Sequence, residues 1–152
     1  MHPGKRLPCR ASDRFQREIM SNDETPMTGE RMLDRLVTLA CEKRGEDLVA
    51  LDVRELVEYM DFLLVVTARS ERQNRAIAEN LIRGMKQEGI LPLSRAGIDV
   101  GNWICIDFVD VVVHLFTPDT RAIYDLELLW ADAPVRELKL PEHMAEESPL
   151  ER

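Results

Sequence analysis

A continuous apolar run, Phe62-Leu63-Leu64-Val65-Val66, constrains the fold of this chain more than any other feature of its sequence. Runs of this length and composition are typical of central β-strands that are covered on both faces. We therefore predict a buried strand over Asp61–Thr67. The apolar residues of Asp47–Val53 predict a second buried strand shortly before it. Strands buried on both faces need helices packed against the sheet, so the predicted fold class is α/β or α+β.

The clearest predicted helix begins after Ser70. Ser70 and Gln73 form a capping box, in which the serine hydroxyl accepts a hydrogen bond from an orphan backbone N–H and the glutamine reaches back to the cap. Apolar residues at helical spacing follow as far as Met85, and Gly89 ends the helix.

Helices are also predicted at both ends of the folded segment. The first covers residues 30–44, with Thr28 as its N-cap and Gly45 in the left-handed conformation at its end. The last begins at Thr117-Pro118, where the threonine is the cap and the proline occupies the first helical position. Pro134 stops this helix, and its predicted apolar stripe consists of Ile123, Leu126, Leu129 and Trp130.

The remaining predicted elements are strands, at Leu91–Arg95, Trp103–Phe108 and Val111–Phe116. The last two form a hairpin around a tight Val109-Asp110 turn. In chain order the elements run helix, strand, strand, helix, strand, strand, strand, helix. This order predicts a single mixed sheet of about five strands with helices packed on it.

The length of 152 residues fits one domain of ordinary size. Residues 1–28 are polar and contain proline and glycine, so we predict a disordered extension there. Residues 29–134 form the predicted domain, and residues 135–152 a flexible acidic tail. The first segment lacks the apolar core of a secretory signal, and no apolar run reaches the roughly 18 residues of a membrane span, so a cytoplasmic location is predicted.

The net charge of −8 at pH 7 restricts the classes of partner. A phosphate-backbone binder needs a basic surface, so the acidic balance argues against direct binding of nucleic acid. The same balance suits a basic protein partner, because complementary potentials steer association. The three cysteines, Cys9, Cys41 and Cys105, lie far apart and predict reduced thiols rather than a disulfide framework or a zinc site.

Candidate catalytic residues are few. Carboxylates at strand ends can hold magnesium for nucleotidyl transfer, and Asp107 and Asp110 flank the predicted hairpin turn. Neither belongs to an Asp-x-Asp pair, so turn acids that cap local amides are the favoured interpretation. His114 alternates with apolar neighbours and is predicted to be a hydrogen-bonded structural residue. The residues themselves predict neither a metal nor a cofactor.

Trp103 begins a predicted strand directly after a polar loop. A large amphipathic ring at such a junction is a typical anchor of a protein interface. A ring packed at the edge of the sheet is the alternative. Trp130, at the end of a helical stripe, is predicted to belong to the core.

Several short segments stand out by their order and spacing. They are Leu51-Asp52-Val53-Arg54, Asp61–Thr67, Ser70–Gln73 followed by Ala76-Ile77-Ala78, Asp110–Phe116 and Tyr124–Trp130, with Trp103 and Asp107 between them. Together these motifs resemble the ribosomal silencing factor family (Iojap-like) over about residues 30–133. The chain departs from the family pattern at two points. It has Thr67-Ala68-Arg69-Ser70 where Thr-Gly-Thr-Ser is common, so we expect a different loop path, and the loop 96–102 carries fewer acidic residues than is usual in the family.

The resemblance implies a small α/β protein that is similar in fold to nucleotidyltransferases but lacks their catalysis, and so is not an enzyme. Proteins of this family bind the large ribosomal subunit through ribosomal protein L-fourteen, block association with the small subunit and repress translation when nutrients are short. The resemblance also implies that Trp103 is a hydrophobic anchor and that Asp107, Asp110 and Tyr124 are polar contacts around it. It implies no cofactor.

Two rival functions come from other classes. An active nucleotidyltransferase or nucleotide-binding enzyme would need magnesium held by two clustered acids. A homodimerising scaffold with no ribosomal role would use an exposed tryptophan or leucine patch for self-association.

Overall fold

The computed structural model describes residues 27–138 and 140. Within this part of the chain, helices and strands combine into one mixed α/β fold. In chain order the elements are α1 (Gly29–Glu42), β1 (Glu46–Asp52), β2 (Phe62–Thr67), α2 (Glu71–Gln87), β3 (Ser94–Ala96), β4 (Trp103–Asp107), β5 (Val111–Phe116), α3 (Pro118–Tyr124), α4 (Leu126–Leu129) and β6 (Val135–Arg136).

The strands form a six-stranded sheet in the order β3-β4-β5-β2-β1-β6. The β2–β5 pair is parallel and the other pairs are antiparallel, so the sheet is mixed, as predicted. The predicted count of five strands is wrong, because Val135–Arg136 adds a sixth strand beside Ala50 and Leu51 of β1. Two residues are too short to show any hydrophobic period.

The two strand residues open the segment predicted to be a flexible tail. Most of residues 135–152, and all but two of residues 1–28, lie outside the described part of the chain. The predicted disorder of both ends, and the domain boundaries derived from it, therefore stay predictions.

Strand β2 lies in the centre of the sheet, and every one of its residues is buried, which confirms the prediction from its apolar run. Helices α1 and α2 cover one face of the sheet and enclose the larger core cluster, with Leu36, Ile77 and Leu81 packed over Leu64 and Ile106. A smaller cluster lies on the opposite face, formed by residues such as Leu63, Val65 and Phe116. The two faces are therefore covered unequally.

The start of α1 follows the prediction and its end does not. The Thr28 hydroxyl accepts a hydrogen bond from the Arg31 N–H at 3.2 Å. At the other end, the left-handed residue is Arg44, with φ 65°, rather than Gly45. Gly45 is needed for space instead: a Cβ there would lie 2.7 Å from Cγ1 of Val66.

The predicted cap of α2 is present, and its glutamine reaches further than expected. The Gln73 N–H donates to the Ser70 hydroxyl at 3.1 Å, whereas Oε1 of Gln73 accepts from the Arg69 N–H at 3.0 Å. Nε2 of the same side chain donates to the carbonyls of Lys43 and Arg44 at 3.1 and 3.0 Å. Gln73 thus joins the start of α2 to the end of α1.

The helix predicted from Thr117 to Pro134 is wrong in its continuity. Asp125, with φ 44°, separates α3 from α4, and its carboxylate caps α4 by accepting the Leu128 N–H at 3.4 Å. A left-handed residue changes the chain direction, so one helical stripe cannot continue across it. Of the predicted stripe, Leu126 is buried and Trp130 partly buried, while Ile123 and Leu129 are exposed. Thr117 makes no side-chain cap to the backbone.

The hairpin turn lies where it was predicted, and its backbone is strained. Val109 adopts φ 77°, which is a rare conformation for a β-branched residue. Its N–H donates to Oδ1 of Asp107 at 2.7 Å.

In the loop after β2, Ala68 has no left-handed backbone, and its N–H donates to the Phe116 carbonyl at 2.9 Å.

A candidate protein-binding face of the sheet

The face of the sheet opposite α1 and α2 carries partly exposed side chains on β4 and β5. In these two strands Ile104, Ile106 and Val113 point into the larger core cluster, and the alternate residues point to the other side. We call this second set the open face; it consists of Trp103, Cys105, Asp107, Val112 and His114. Each of these five side chains is partly exposed, so the open face can contact another molecule.

An aromatic cluster occupies one end of the open face. The ring centroid of Trp103 lies 4.2 Å from that of Tyr124, 5.3 Å from that of Phe116 and 6.0 Å from that of His114. Phe116 is fully buried beneath these rings, whereas Tyr124 on α3 is 50% exposed. The cluster is thus anchored in the core on one side and reaches solvent on the other.

A hydrogen bond fixes the orientation of Trp103. Its indole Nε1–H donates to Nδ1 of His114 at 3.0 Å. An indole nitrogen can only donate, so Nδ1 must be unprotonated and the imidazole proton must lie on Nε2. Burial lowers the pKa of His114 to about 4, which keeps the ring neutral near pH 7. His114 is thus hydrogen-bonded, as the sequence predicted.

Arg121 attaches the helix that carries Tyr124 to the sheet. Its Nη1 donates to the Asp47 carbonyl and to the Thr67 hydroxyl, each at 2.6 Å. Its Nε and Nη2 donate to the two carboxylate oxygens of Glu127 at 3.2 and 3.0 Å. The side chain is only 15% exposed. One guanidinium therefore connects α3 and α4 to β1 and β2.

Replacing Arg121 with leucine is expected to lower the free energy of unfolding by about 2 kcal/mol. The buried Thr67 hydroxyl loses this donor, and the partly exposed Glu127 carboxylate loses its ion pair. Arg69→Leu is the matched control. Its ion pair with Glu46 measures 2.9 Å, but the arginine side chain is 81% exposed. The control should cost no more than about 0.5 kcal/mol. Urea denaturation measures both changes, and equal effects would show that Arg121 contributes no more than a surface pair.

The structure brings two of the four predicted contact residues together. Trp103 and Tyr124 stack in the aromatic cluster. Asp107 lies on the same open face four residues along β4, about 13 Å away by strand geometry, and it accepts the Val109 N–H. Asp110 is 6% exposed and lies in the turn at the other end of β5, where its carbonyl accepts from the N–H groups of Asp61 and Phe62.

Exposed apolar side chains next to Tyr124 were not predicted from the sequence. Ile123, Leu128 and Leu129 are all exposed on α3 and α4. The signal that could have revealed them is Asp125, a residue typical of helix N-caps placed within the supposed helix. These residues add exposed apolar surface to α3 and α4.

In residues 27–138 and 140, no group of three or more His, Cys, Asp and Glu side chains is placed to hold a metal ion. Cys41 and Cys105 are unpaired thiols there, and Cys9 lies outside this range. Burial, together with the smaller effect of the Asp107 charge, raises the pKa of the Cys105 thiol, so it stays protonated near pH 7.

The same part of the chain contains no helix with the length and apolar character that a membrane span requires.

Comparison with known proteins shows which family this chain matches. The model of the family described as "Ribosomal silencing factor during starvation" matches residues 26–151. A ribosomal silencing factor from Halalkalibacterium halodurans is 38% identical over 113 residues, which are 74% of this chain and 97% of the relative. The mouse protein named "Mitochondrial assembly of ribosomal large subunit protein 1" is 30% identical, over 64% of this chain and 44% of its own length.

A solved structure shows the same fold. The crystal structure of a protein from Bacillus halodurans aligns with a TM-score of 0.65 at 37% sequence identity. The alignment covers 72% of this chain and 99% of the solved one.

Proposed function

Because this chain belongs to the ribosomal silencing factor family, we propose that it binds the large ribosomal subunit through ribosomal protein L-fourteen and sterically blocks association with the small subunit. Translation is thereby repressed when nutrients are limiting. The relative named for assembly of a ribosomal large subunit supports the choice of that subunit. The proposed location is the cytoplasm, and the proposed mechanism makes and breaks no bond, so we propose no enzyme activity.

The aromatic cluster on the open face is the observation that best supports this proposal. Interface hot spots are typically tryptophan and tyrosine side chains that are part-buried, rigid and ringed by other contacts. Trp103 and Tyr124 meet this description, since they stack at 4.2 Å above the buried Phe116. We place them at the centre of the interface and Asp107 at its rim. Asp110 is the weakest of the proposed contacts, because it is 6% exposed.

The charge of the chain fits the same partner. A net charge of −8 favours a basic protein surface over the phosphate backbone of ribosomal RNA. An acidic rim residue such as Asp107 would pair with lysine or arginine of the partner and would mainly raise the association rate. The likeness of the fold to nucleotidyltransferases remains an expectation of the resemblance.

Sucrose-gradient sedimentation of mixed ribosomal subunits tests the proposed function directly. Added protein is expected to shift material from joined ribosomes to free subunits and to comigrate with the large-subunit peak. The effect should saturate near one protein per large subunit, because a single docking site is blocked. Unchanged association, or comigration with the small subunit, would contradict the proposal.

Calorimetry with ATP and magnesium distinguishes a nucleotide-binding enzyme from the proposed silencing factor. Nucleotidyl transfer requires clustered carboxylates that hold the metal ion. We expect no heat of binding from this protein. A heat of binding that Asp107→Asn abolishes would favour the enzyme.

The homodimer alternative is tested by sedimentation of the protein by itself, which distinguishes a monomer from a homodimer.

A further inference from the structure

We infer that His114 is the positioning residue of the Trp103 anchor: its imidazole holds the indole by Nε1 and presents the ring's outer surface to the partner. This inference rests on the proposed function, since it assigns a role within the same interface. The carrying observation is the 3.0 Å hydrogen bond between Trp103 Nε1 and His114 Nδ1.

Trp103 needs such a restraint because of its place in the chain. It is the first residue of β4 and follows the loop that contains Gly97 and Gly101. Its ring is packed on Phe116 and Tyr124 but remains partly exposed. A partly exposed side chain that binds a partner loses less rotamer entropy when it is already fixed in the bound orientation.

His114 is well placed to supply the restraint. It lies on β5, in the interior of the sheet, paired with Cys105 of β4 on one side and Val65 of β2 on the other. Trp103 pairs with Phe116, so His114 is its diagonal neighbour, which a long aromatic side chain can reach. The rigid centre of the sheet thus holds a ring at the start of the strand next to it.

The surroundings of His114 keep it able to accept this bond. Cys105 and Val65 flank it on the neighbouring strands, and Phe116 lies beside it at a centroid distance of 6.1 Å. The nearest acid on β4 is Asp107, one alternate position beyond Cys105. Burial lowers the pKa of His114 to about 4, so Nδ1 remains unprotonated and can accept the indole hydrogen throughout the neutral range.

Two variants test the inference through the indole N–H itself. His114→Phe keeps a flat ring but removes the acceptor, and His114→Asn restores an acceptor oxygen close to the position of Nδ1. Proton–nitrogen NMR follows the Trp103 indole, with the Trp130 indole as internal reference. We expect hydrogen exchange of Trp103 Nε1–H to become about threefold to tenfold faster in His114→Phe, the size expected for one lost hydrogen bond, and to return towards the original rate in His114→Asn.

Binding is measured on the same variants by pelleting with large subunits. His114→Phe is expected to weaken binding by about threefold to tenfold, and His114→Asn to recover most of it. Trp103→Ala gives the reference for loss of the whole anchor. If exchange is unchanged in His114→Phe, or if it accelerates while pelleting stays the same, the inference is overturned and the proposed function stands. If the unaltered protein does not pellet but Trp103 exchange responds as expected, the proposed function is what fails, and the inference falls with it.

A pH series on the unaltered protein needs no variant and so decides even if His114→Phe does not fold. The Trp103 indole signal should stay constant from about pH 8 to about pH 6, because an imidazole with a strongly lowered pKa does not titrate there. A titration centred near the ordinary histidine value would mean that His114 is solvated, and that would overturn the inference.

Discussion

Replacing Trp103 with alanine is expected to weaken binding to isolated large subunits by about 30-fold or more, the size typical of an interface hot spot. The ring stacks on Tyr124 at 4.2 Å and is partly exposed, so its loss removes contact area at the centre of the proposed interface. Trp103 is a partly buried side chain packed against the smaller core cluster and is not part of the larger one, so the fold should persist. Pelleting with large subunits measures the binding, and circular dichroism checks the fold.

The chain supplies a matched control for this experiment. Trp130 is the second tryptophan and is also partly buried, but it lies at the end of α4 and outside the aromatic cluster. Trp130→Phe should change binding by no more than about twofold, as expected for a residue outside the hot spot. Trp103→Phe should fall between the two, because it keeps a ring but loses the indole N–H. Equal pelleting of Trp103→Ala and the unaltered protein would remove Trp103 from the interface.

Gly97→Ala is expected to destabilise the fold by about 3 kcal/mol or more, through combined backbone strain and overpacking. Gly97 adopts φ 84°, which side chains rarely tolerate, and a Cβ there would overlap the carbonyl oxygen of Trp103. Backbone cannot move aside as a flexible side chain can, so β3 and the start of β4 must separate. The same displacement should impair large-subunit binding, since it moves the anchor.

Gly89→Ala isolates the contribution of the overlap. Gly89 adopts φ 83°, almost the same as Gly97, yet no atom lies within 4 Å of the position of an added Cβ. Its cost should therefore be the conformational one alone, about 1 kcal/mol. Urea denaturation of both variants measures the difference. If both substitutions lower the free energy of unfolding equally, the close approach of Gly97 to the Trp103 carbonyl does not add to the cost.

The parts of the fold that were predictable from sequence depend on local signals. The central position of β2 followed from its unbroken apolar run, and the caps Thr28 and Ser70 followed from residue types next to periodic segments. Each of these signals consists of residues that are close together in the sequence. The two-residue strand β6 was missed because it is specified by pairing with β1, far away in sequence, rather than by a local period. The break at Asp125 was missed because the apolar spacing on either side of it fits an uninterrupted helix.

The candidate site was only partly predictable for the same reason. A tryptophan at a loop–strand junction indicated an anchor, but its bond to His114 depends on the exact register between β4 and β5. The role of Arg121 in connecting α3 to the sheet could not be predicted, because its acceptors lie on β1 and β2, 54 to 74 residues away in sequence. The separation of Asp110 from Trp103 likewise follows from the direction of β5. None of these distances can be read from the amino-acid sequence.

The parallel pairing of β2 with β5 has a consequence for synthesis of the protein. The two strands are joined by α2, β3 and β4, so the middle of the sheet stays incomplete until residues 111–116 have left the ribosome. In a nascent chain that ends before β5, one edge of Phe62–Val66 can pair with β1 but the other edge has no partner strand. Uncovered apolar strand edges promote aggregation. Non-local pairing of this kind also slows folding. The centre of the sheet therefore forms late, after about three-quarters of the residues have been made, and β6 is added later still.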